Sequence, residues 1–506
     1  MIRFMDDQLN RITMYRLVLY YLIFLLVVAL VQNASNGTTF DPFALMATVA
    51  FLLVVSVITN HIFSQVFRVP ANVESVYITA LILALIISPI QSYSDLWFLA
   101  WAAILANASK YILAIKGKHV FNPAALAVAL TYFMINRSAG WWVGSGAMLP
   151  FVVLGGLLVV RKIGRFDMVL SFLGAAVMTI FISAFFTGAG FITSLQRIVL
   201  YSPLLFFAFI ILTEPLTTPP TRRWRVVYGA LIGFLFTPQF HFDGFYLTPE
   251  VAVLIGNVFS YLVSSKDKLV LKLKERNRLT SDVYEFVFSA PRRFAFVPGQ
   301  YMEWTLAHPN SDSRGNRRYF TIASSPTERI LRLGVKFNRD SSTYKKALLA
   351  LGKDTDIVAA QLAGDFVLPE DTRQSVVLMA GGIGITPFRS MIKYLLDTRQ
   401  RRPITLFYTA ATVNDFAYKD VFDRAQFELG IETIYSVTDT GSRPSGWSGQ
   451  LGRINPQMLK SAVPDYRNCL FYISGPKGMV DALKDMLNRL GVAGFQIKTD
   501  YFAGLS

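Results

Sequence analysis

The stretch Val376-Val377-Leu378-Met379-Ala380-Gly381-Gly382-Ile383-Gly384-Ile385-Thr386-Pro387 decides the architecture of the C-terminal half. Its unbroken apolar start reads as a strand buried on both faces, as in a parallel sheet. The glycines allow a tight turn and a close approach of a ligand to the backbone. Thr386 is expected to cap the helix that follows, and Pro387 suits its first position. A helix that starts behind a glycine turn offers free amides to a phosphate. From Ser375 the pattern runs on as strand, helix, strand, which predicts an α/β nucleotide-binding domain over 371–506. Upstream, LVLKLKER, VYEFVFSA, YMEWTL, YFTIASS, LRLGVKF and DIVAAQL read as short strands between Gly and Pro turns. They predict a small antiparallel β-barrel over 266–370.

Before Ser264 the composition changes. The chain has 506 residues, 53% hydrophobic and only 16% charged, and its mean hydropathy of +0.42 is too high for an ordinary soluble enzyme. The apolar residues concentrate in residues 1–265, which are expected to form a polytopic α-helical membrane domain. Ten segments are predicted, at about 14–32, 42–64, 75–90, 95–115, 122–136, 148–161, 168–186, 196–213, 226–238 and 248–264. The first is read as a span and not as a cleavable leader, because apolar segments keep following it. Arg68, Lys110, Lys116, Lys118, Arg161, Lys162, Arg165, Arg222, Arg223 and Arg225 fall in loops on one side, together with Arg3, Arg11 and Arg16. The other side has Arg137 and Arg197. The positive-inside rule then makes both termini and the C-terminal half cytoplasmic, on a multi-pass protein of the cell membrane. The net charge of +16 is thereby explained by basic loops, with no nucleic acid as partner. A weak internal repeat, VFNPAALAVAL against LTPEVAVLIG with Pro123 and Pro249 in register, suggests two inverted halves around a midplane site. One cysteine excludes an iron–sulfur cluster held by this chain, and four histidines leave little room for haem or other metal sites.

Within the predicted barrel stands Arg318-Tyr319-Phe320-Thr321-Ile322-Ala323-Ser324-Ser325-Pro326, preceded by Pro298-Gly299-Gln300-Tyr301. Arg318 offers a planar, charged set of donors suited to phosphate. Phe320 supplies a flat apolar face, and Thr321 is small. These strings resemble the ferredoxin–NADP⁺ reductase superfamily. The resemblance implies that Arg318 binds the FAD pyrophosphate, that Phe320, with Tyr301 and Tyr319 nearby, packs on the flavin, and that Thr321 faces its N5. Ser341-Ser342-Thr343-Tyr344-Lys345-Lys346-Ala347-Leu348 looks like the family's second pyrophosphate segment, with Ser342 and Thr343 at a helix start, and Gly364-Asp365-Phe366 resembles its barrel-closing turn. Gly381, Gly382, Gly384 and Thr386 resemble its GGxGxTP turn. Ile473-Ser474-Gly475-Pro476-Lys477-Gly478-Met479 resembles its CGPxxM turn, with Ser474 where Cys is usual. Thr499-Asp500-Tyr501-Phe502-Ala503-Gly504 resembles its C-terminal aromatic segment, so that Tyr501 or Phe502 would cover the flavin until nicotinamide displaces it. Tyr408-Thr409-Ala410-Ala411-Thr412-Val413-Asn414-Asp415 has no cation for a 2′-phosphate, which favours NADH over NADPH; Arg443 lies farther on.

The membrane half resembles the flavin-carrying membrane subunits of Na⁺-translocating NADH:quinone reductase and Rnf complexes. The strings are Ser75–Leu85, His119-Val120-Phe121-Asn122-Pro123-Ala124-Ala125, Thr213-Glu214-Pro215 with Tyr228–Gly233, and Pro249-Glu250-Val251-Ala252-Val253. Thr79, Asn122, Glu214 and Asn257 are costly to bury in a membrane, so they are expected to contact a ligand or each other there. Where those subunits carry FMN on a threonine, Ser145-Gly146-Ala147-Met148 offers methionine, so no covalent FMN is expected.

Two rivals share this layout. Haem-bearing transmembrane reductases need paired axial histidines. His61 is the one histidine near a predicted segment, with His119 and His241 in loops and His308 in the barrel. An ion transporter with a redox-sensing nucleotide-binding tail is the alternative function. The reading carried forward is an FAD-dependent NAD(P)H oxidoreductase with Thr321, Ser474 and Phe502 at the reacting centre. Its acceptor is a quinone or a second, non-covalent flavin. Membrane lipid is a further partner; complex subunits and ion coupling are left open.

Overall fold

Apolar runs free of internal glycine and proline make the longest helices of the N-terminal half, Met14–Asn36 and Pro42–Phe67, in a computed structural model of the chain. The structure describes residues 5, 8–9, 12–36, 40–67, 73–115, 118–236, 241–242, 245–264, 268–290, 294–309, 312, 315–338, 341–439 and 447–502. Expectations placed on Arg3, Arg11, Arg68, Lys116, Arg443, Ala503 and Gly504 fall outside those residues. The chain divides into two units, Met1–Lys266 and Asp267–Ser506.

In the first unit the other helices are Val73–Ile86, Tyr93–Ile112, Pro123–Ile135, Leu149–Ile163, Phe166–Thr187, Phe191–Tyr201, Arg222–Leu235 and Pro249–Val263. Length and composition qualify three for a membrane crossing: Met14–Ser35, Pro42–Phe67 and Phe166–Thr187. A fourth arises if Phe191–Tyr201 and Leu204–Ile211, bent by 66° at their break, form one span. Ten spans are therefore more than the helices support. Glu74–Ile86, Pro123–Ile135 and Pro249–Val263 are apolar but short of the ~20 residues a span needs. Proline starts two of them, and Asn136 in the left-handed region closes Pro123–Ile135.

Small residues set the closest helix contact. A Cβ on Gly229 would lie 2.4 Å from the Met168 carbonyl oxygen, and one on Gly233 would lie 2.2 Å from that of Phe172. Glycines four apart let Arg222–Leu235 lie backbone to backbone against Phe166–Thr187. The buried Arg225–Asp167 ion pair, at 2.7 Å, fixes the start of the same contact.

The second unit holds two six-stranded sheets. The first comprises β1 (Leu269–Arg278), β2 (Val283–Ser289), β3 (Tyr301–Thr305), β4 (Arg317–Thr321), β5 (Ile330–Lys336) and β6 (Asp356–Ala363), with helix α1 (Thr343–Leu349) between β5 and β6. Its order is β4-β3-β6-β1-β2-β5, and every neighbouring pair is antiparallel. Leu269, Leu271 and Leu273 alternate inward along β1 to meet Trp304 and Phe288 in one core. The expected closed barrel is an open ladder among the described residues. The edges β4 and β5 approach where Ala323 N–H donates to Arg332 O at 2.9 Å.

The second sheet is parallel throughout: β7 (Val376–Gly381), β8 (Ile404–Ala410), β9 (Glu432–Val437), β10 (Gln450–Leu451), β11 (Leu470–Pro476) and β12 (Ile497–Phe502), in the order β10-β9-β8-β7-β11-β12. Helices α2 (Thr386–Thr398), α3 (Lys419–Leu429), α4 (Pro456–Ala462) and α5 (Lys477–Arg489) connect it. All of β7 is buried. Val376, Leu378 and Ala380 pack with α2 and α3, while Val377 and Met379 pack with α4 and α5. Burial on both faces explains why this strand shows no alternation. The chain leaves β7 toward β8 on one side and returns to β11 on the other, so the order reverses between β7 and β11. Ligands of doubly wound sheets bind at the carboxyl ends of such strands.

Candidate active site

At that switch point the two glycine turns face one another. Gly382–Ile385 is a 3₁₀ turn, and Ile385 rather than Thr386 occupies the N-cap position of α2. Thr386 is the first helical residue, and its hydroxyl donates back to Ile383 O at 3.1 Å. The expected cap is thus shifted by one residue, because the 3₁₀ turn has already satisfied the turn that a capping side chain would close. A Cβ on Gly384 would sit 2.3 Å from Ser474 O and 2.6 Å from Gly475 Cα. Gly381 faces the Met479 sulfur in the same way, at 2.3 Å from its Cβ position, and Pro476 lies beside it. Gly475 has a φ of +156°. Gly384 is required by backbone packing as well as by any ligand, whereas Gly381 faces side-chain atoms.

Ser474 is fully buried at the end of β11, and its Oγ has no hydrogen-bond partner among the described residues. In the ladder it stands between Ala380 of β7 and Asp500 of β12. Asp500 carries no mark of a site residue in the sequence alone. Burial pushes its carboxyl up to about 6. Tyr501 and Phe502 pair through their backbones with Gly475 and Pro476, which puts the end of β12 alongside the second glycine turn.

Around β4 the expected FAD-contact residues divide between the two faces of the strand. Arg318 and Phe320 share one face with Tyr344, whose ring centroid lies 5.1 Å from the guanidinium and 6.0 Å from the Phe320 ring. Tyr319 and the buried Thr321 take the other face, where Tyr319 meets Tyr301 edge-on at 5.8 Å and bonds Glu303 through its hydroxyl at 3.0 Å. Arg318 donates to Gly315 O at 3.0 Å and to the Asp312 carboxylate at 3.2 Å. The same carboxylate accepts from Thr343 N–H at 3.3 Å, and Ser342 Oγ caps α1 by accepting from Lys345 N–H. Arg318 and the start of α1 therefore already grip an anion, the Asp312 side chain. Such a donor set fits a phosphate.

The polar candidates of the membrane half are also placed. Asn122 caps Pro123–Ile135 through Ala125 N–H at 3.0 Å, and its own N–H donates to Asn257 Oδ1 at 2.8 Å. Asn257 Nδ2 in turn donates to the Tyr228 hydroxyl at 3.1 Å, and all three residues are buried. Glu214 pairs with His119 at 3.1 Å instead. Thr79 donates to Ser75 O at 2.8 Å, and the same carbonyl takes the Lys110 ammonium at 3.1 Å. Lys110, expected in a loop, lies inside helix Tyr93–Ile112. Glu250, fully buried, accepts from Trp141 Nε1 at 2.8 Å. Tyr228, Lys110 and Trp141 were not singled out as site residues because each reads as ordinary in an apolar or basic run.

Residues 378–485 match the oxidoreductase NAD-binding domain family. A flavohemoprotein from Oceanobacillus iheyensis is 26% identical over 245 residues, 47% of this chain and 59% of that protein. The glycine betaine monooxygenase reductase subunit of Chromohalobacter salexigens is 27% identical, over 42% of this chain and 58% of its own length. This chain thus spans less than two thirds of either relative. Among solved structures, the flavohem-like FAD/NAD-binding domain of nitric oxide dioxygenase from Vibrio cholerae is similar at 20% identity, covering 46% of this chain and 98% of that one with a TM-score of 0.41. The C-terminal half matches the ferredoxin–NADP⁺ reductase-type FAD- and NAD-binding superfamily, which supports FAD and nicotinamide nucleotide binding and NAD(P)H–flavin oxidoreduction.

Proposed function

We propose that this chain is a membrane-bound flavoprotein that takes electrons from NADH through FAD in its C-terminal unit to an acceptor in or across the membrane. The observation that carries the reading is the switch-point crevice, where Gly381–Gly384, Ser474–Gly475 and Asp500 meet at parallel strand ends. FAD, when bound, supplies two-electron acceptance from a dihydronicotinamide and stepwise release to a second acceptor. Arg318, with Ser342 and Thr343 at the start of α1, binds the pyrophosphate in place of the Asp312 carboxylate. Phe320 on one face of β4, and Tyr301 with Tyr319 on the other, are the aromatic side chains that would flank the ring, and Thr321 would leave its reactive edge uncovered. Gly382, Gly384 and Thr386 admit the nucleotide phosphates to the first turn of α2, while Gly475, Pro476 and Met479 form the opposite wall. Ser474 Oγ, buried without a partner among the described residues, would be free to donate to the nicotinamide, and burial keeps the carboxyl of its ladder neighbour Asp500 raised to about 6. Tyr501 and Phe502 end β12 alongside the second glycine turn. NADH is favoured over NADPH because Asp415, not a cation, closes the turn after β8; its carboxylate accepts from Thr412 N–H at 2.9 Å.

The resemblance of the membrane half to Na⁺-translocating NADH:quinone reductase and Rnf subunits supports a quinone or a second, non-covalent flavin as the acceptor. Asn122, Asn257 and Tyr228 supply amide and hydroxyl groups for its carbonyl edge, with Glu214, His119, Thr79 and Lys110 near the same elements. The basic clusters Arg161–Arg165 and Arg222–Arg225 near helix ends support a cytoplasmic C-terminal unit. Arg318→Ala tests the FAD assignment. The detergent-purified variant should lose at least about nine tenths of its flavin absorbance, because a charge-assisted donor pair is removed, while the helical circular dichroism stays at the wild-type level. Wild-type flavin occupancy in the variant would refute the assignment.

A further inference from the structure

The segment that leaves β4 carries Thr321 at its start and is held from the nucleotide-binding side. Ala323 O accepts from Arg389 Nη1 at 2.9 Å, and Ser324 O accepts from Ser390 Oγ at 2.6 Å. Both donors sit on α2, three and four residues after Thr386. Arg389 also embraces the Glu328 carboxylate with both terminal nitrogens, and Glu328 accepts from Ser325 N–H at 2.7 Å. Arg332 then joins Glu328, at 3.1 Å, to the buried Glu285 of β2. Arg389 is only 5% exposed and lies 5.5 Å over the Tyr418 ring. Burial pushes the Glu328 carboxyl up, but Arg389, the Ser325 amide and Arg332 outweigh it and hold the group ionised.

Two arginines and two glutamates balance in charge, so the network is neutral as a whole and costly to break at any one member. It also has a direction. Helix α2 begins at the glycine turn, so anything that shifts α2 shifts Gly382–Gly384 with it. The Ala323 carbonyl is two residues from Thr321. Gly334 of β5 completes the fit, since a Cβ there would meet the Thr386 methyl at 2.8 Å. We propose that Arg389 is a positioning residue for hydride transfer: gripping Ala323 O and Glu328, it sets the spacing between the flavin-facing end of β4 and the nucleotide-facing turn after β7. The inference rests on the proposed function. In the step concerned, a hydride, two electrons with one proton, passes from the dihydronicotinamide to the flavin ring. NADH is oxidised to NAD⁺, the flavin is reduced, and the second proton comes from solvent. Transfer of this kind needs donor and acceptor atoms about 3–3.5 Å apart, and an error of about 1 Å costs on the order of 10²-fold.

Arg389→Met in the full chain is the test, with Arg389→Lys as the conservative variant. FAD content and the NAD⁺ dissociation constant should stay within about twofold of wild type, because neither site loses a contact. Flavin bleaching by NADH in anaerobic stopped flow should slow by about 10- to 100-fold, and Arg389→Lys should recover part of it. A double variant with Glu328→Gln should be no slower than Arg389→Met, as expected of two groups that act as one unit. On flavin-free protein, amide hydrogen exchange across residues 322–328 should quicken in Arg389→Met. An unchanged bleaching rate, or a rate loss matched by equal loss of FAD, would overturn the positioning role. Wild-type protein that takes up no FAD would instead refute the proposed function, and the exchange measurement would still decide whether Arg389 holds the two segments together.

Discussion

In the C-terminal unit the glycine and polar positions that stand out in the sequence gather at strand ends, where Ser474 Oγ is buried without a partner among the described residues. In the N-terminal unit Asn122, Asn257 and Glu214 are bonded within the protein, while Glu250 Oε2 is buried without a partner among the described residues. Asn122 N–H goes to Asn257, Asn257 goes to Tyr228, and Glu214 goes to His119. A nucleotide site built on backbone turns keeps valences open for its ligand. A polar cluster among apolar helices cannot leave them open without cost, so a membrane acceptor has to replace bonds that the protein already makes. The C-terminal unit therefore should lose chemistry when a backbone contact is filled, and the N-terminal unit should lose only the onward transfer when a side chain is removed.

The largest effect is expected at Gly384. Its Cβ would press on the Ser474 carbonyl and the Gly475 Cα, both backbone, so Gly384→Ala must spread the two turns. NADH oxidation with a soluble dye should fall by roughly 100-fold, in line with a misplacement of about 1 Å at the reacting atoms. Gly381→Ala meets side-chain atoms, the flexible end of Met479 and at 3.3 Å the Pro476 ring, and should fall far less. Equal losses in the two variants would mean that the crevice tolerates no side chain at all, rather than that it depends on the close approach of β7 to β11.

A smaller effect is expected in the membrane half. Asn122→Leu keeps the backbone N–H that Asn257 accepts but removes the helix cap, which is worth about 1 kcal/mol. Transfer to a membrane quinone should drop about tenfold, equivalent to roughly 1.4 kcal/mol, with dye reduction unchanged. Equal loss of both activities would make Asn122 structural, and no loss of either would move the acceptor site elsewhere.

A further effect, on stability rather than on rate, concerns pH. Asp500 has its carboxyl raised by burial to about 6, above its unfolded value. Between about pH 4 and pH 6 the folded chain keeps a proton that the unfolded chain has lost, so stability falls as pH rises through that window. Asp500→Asn should flatten this slope and gain up to about 2 kcal/mol at pH 7 relative to wild type. Denaturation of the C-terminal unit in the full chain at pH 4 and pH 7 reads the difference. A wild-type difference between the two pH values equal to that of Asp500→Asn would contradict the assignment.

The comparison also shows where sequence reading reaches and where it stops. β7 and its glycine turn were legible because burial on both faces leaves a continuous apolar run and the turn demands glycine. The site string at Arg318 was legible as a string, but its division between the faces of β4 was not, since strand alternation alone does not say which face a ligand takes. Asp500 escaped notice because an acidic residue near a chain end is ordinary until its ladder partner, Ser474, is known. In the membrane half, apolar composition marked the region but overcounted its spans. Pro123 and Pro249 begin helices too short to cross, and composition does not register where a helix ends. Lys110 was misplaced for a related reason: a lysine at the end of an apolar run reads as loop, yet its ammonium turns back onto Ser75 O.

The central claim is that electrons enter at FAD in the C-terminal unit and leave through the membrane half. Anaerobic titration of the detergent-purified full chain with NADH, followed by a short-chain quinone, tests it most directly. The account predicts that flavin absorbance bleaches with about one NADH per FAD, as a two-electron couple requires, and that the quinone restores the colour in wild type but about tenfold more slowly in Asn122→Leu, the same factor as above. Flavin that NADH does not bleach, or that the quinone reoxidises equally fast in both proteins, would contradict it.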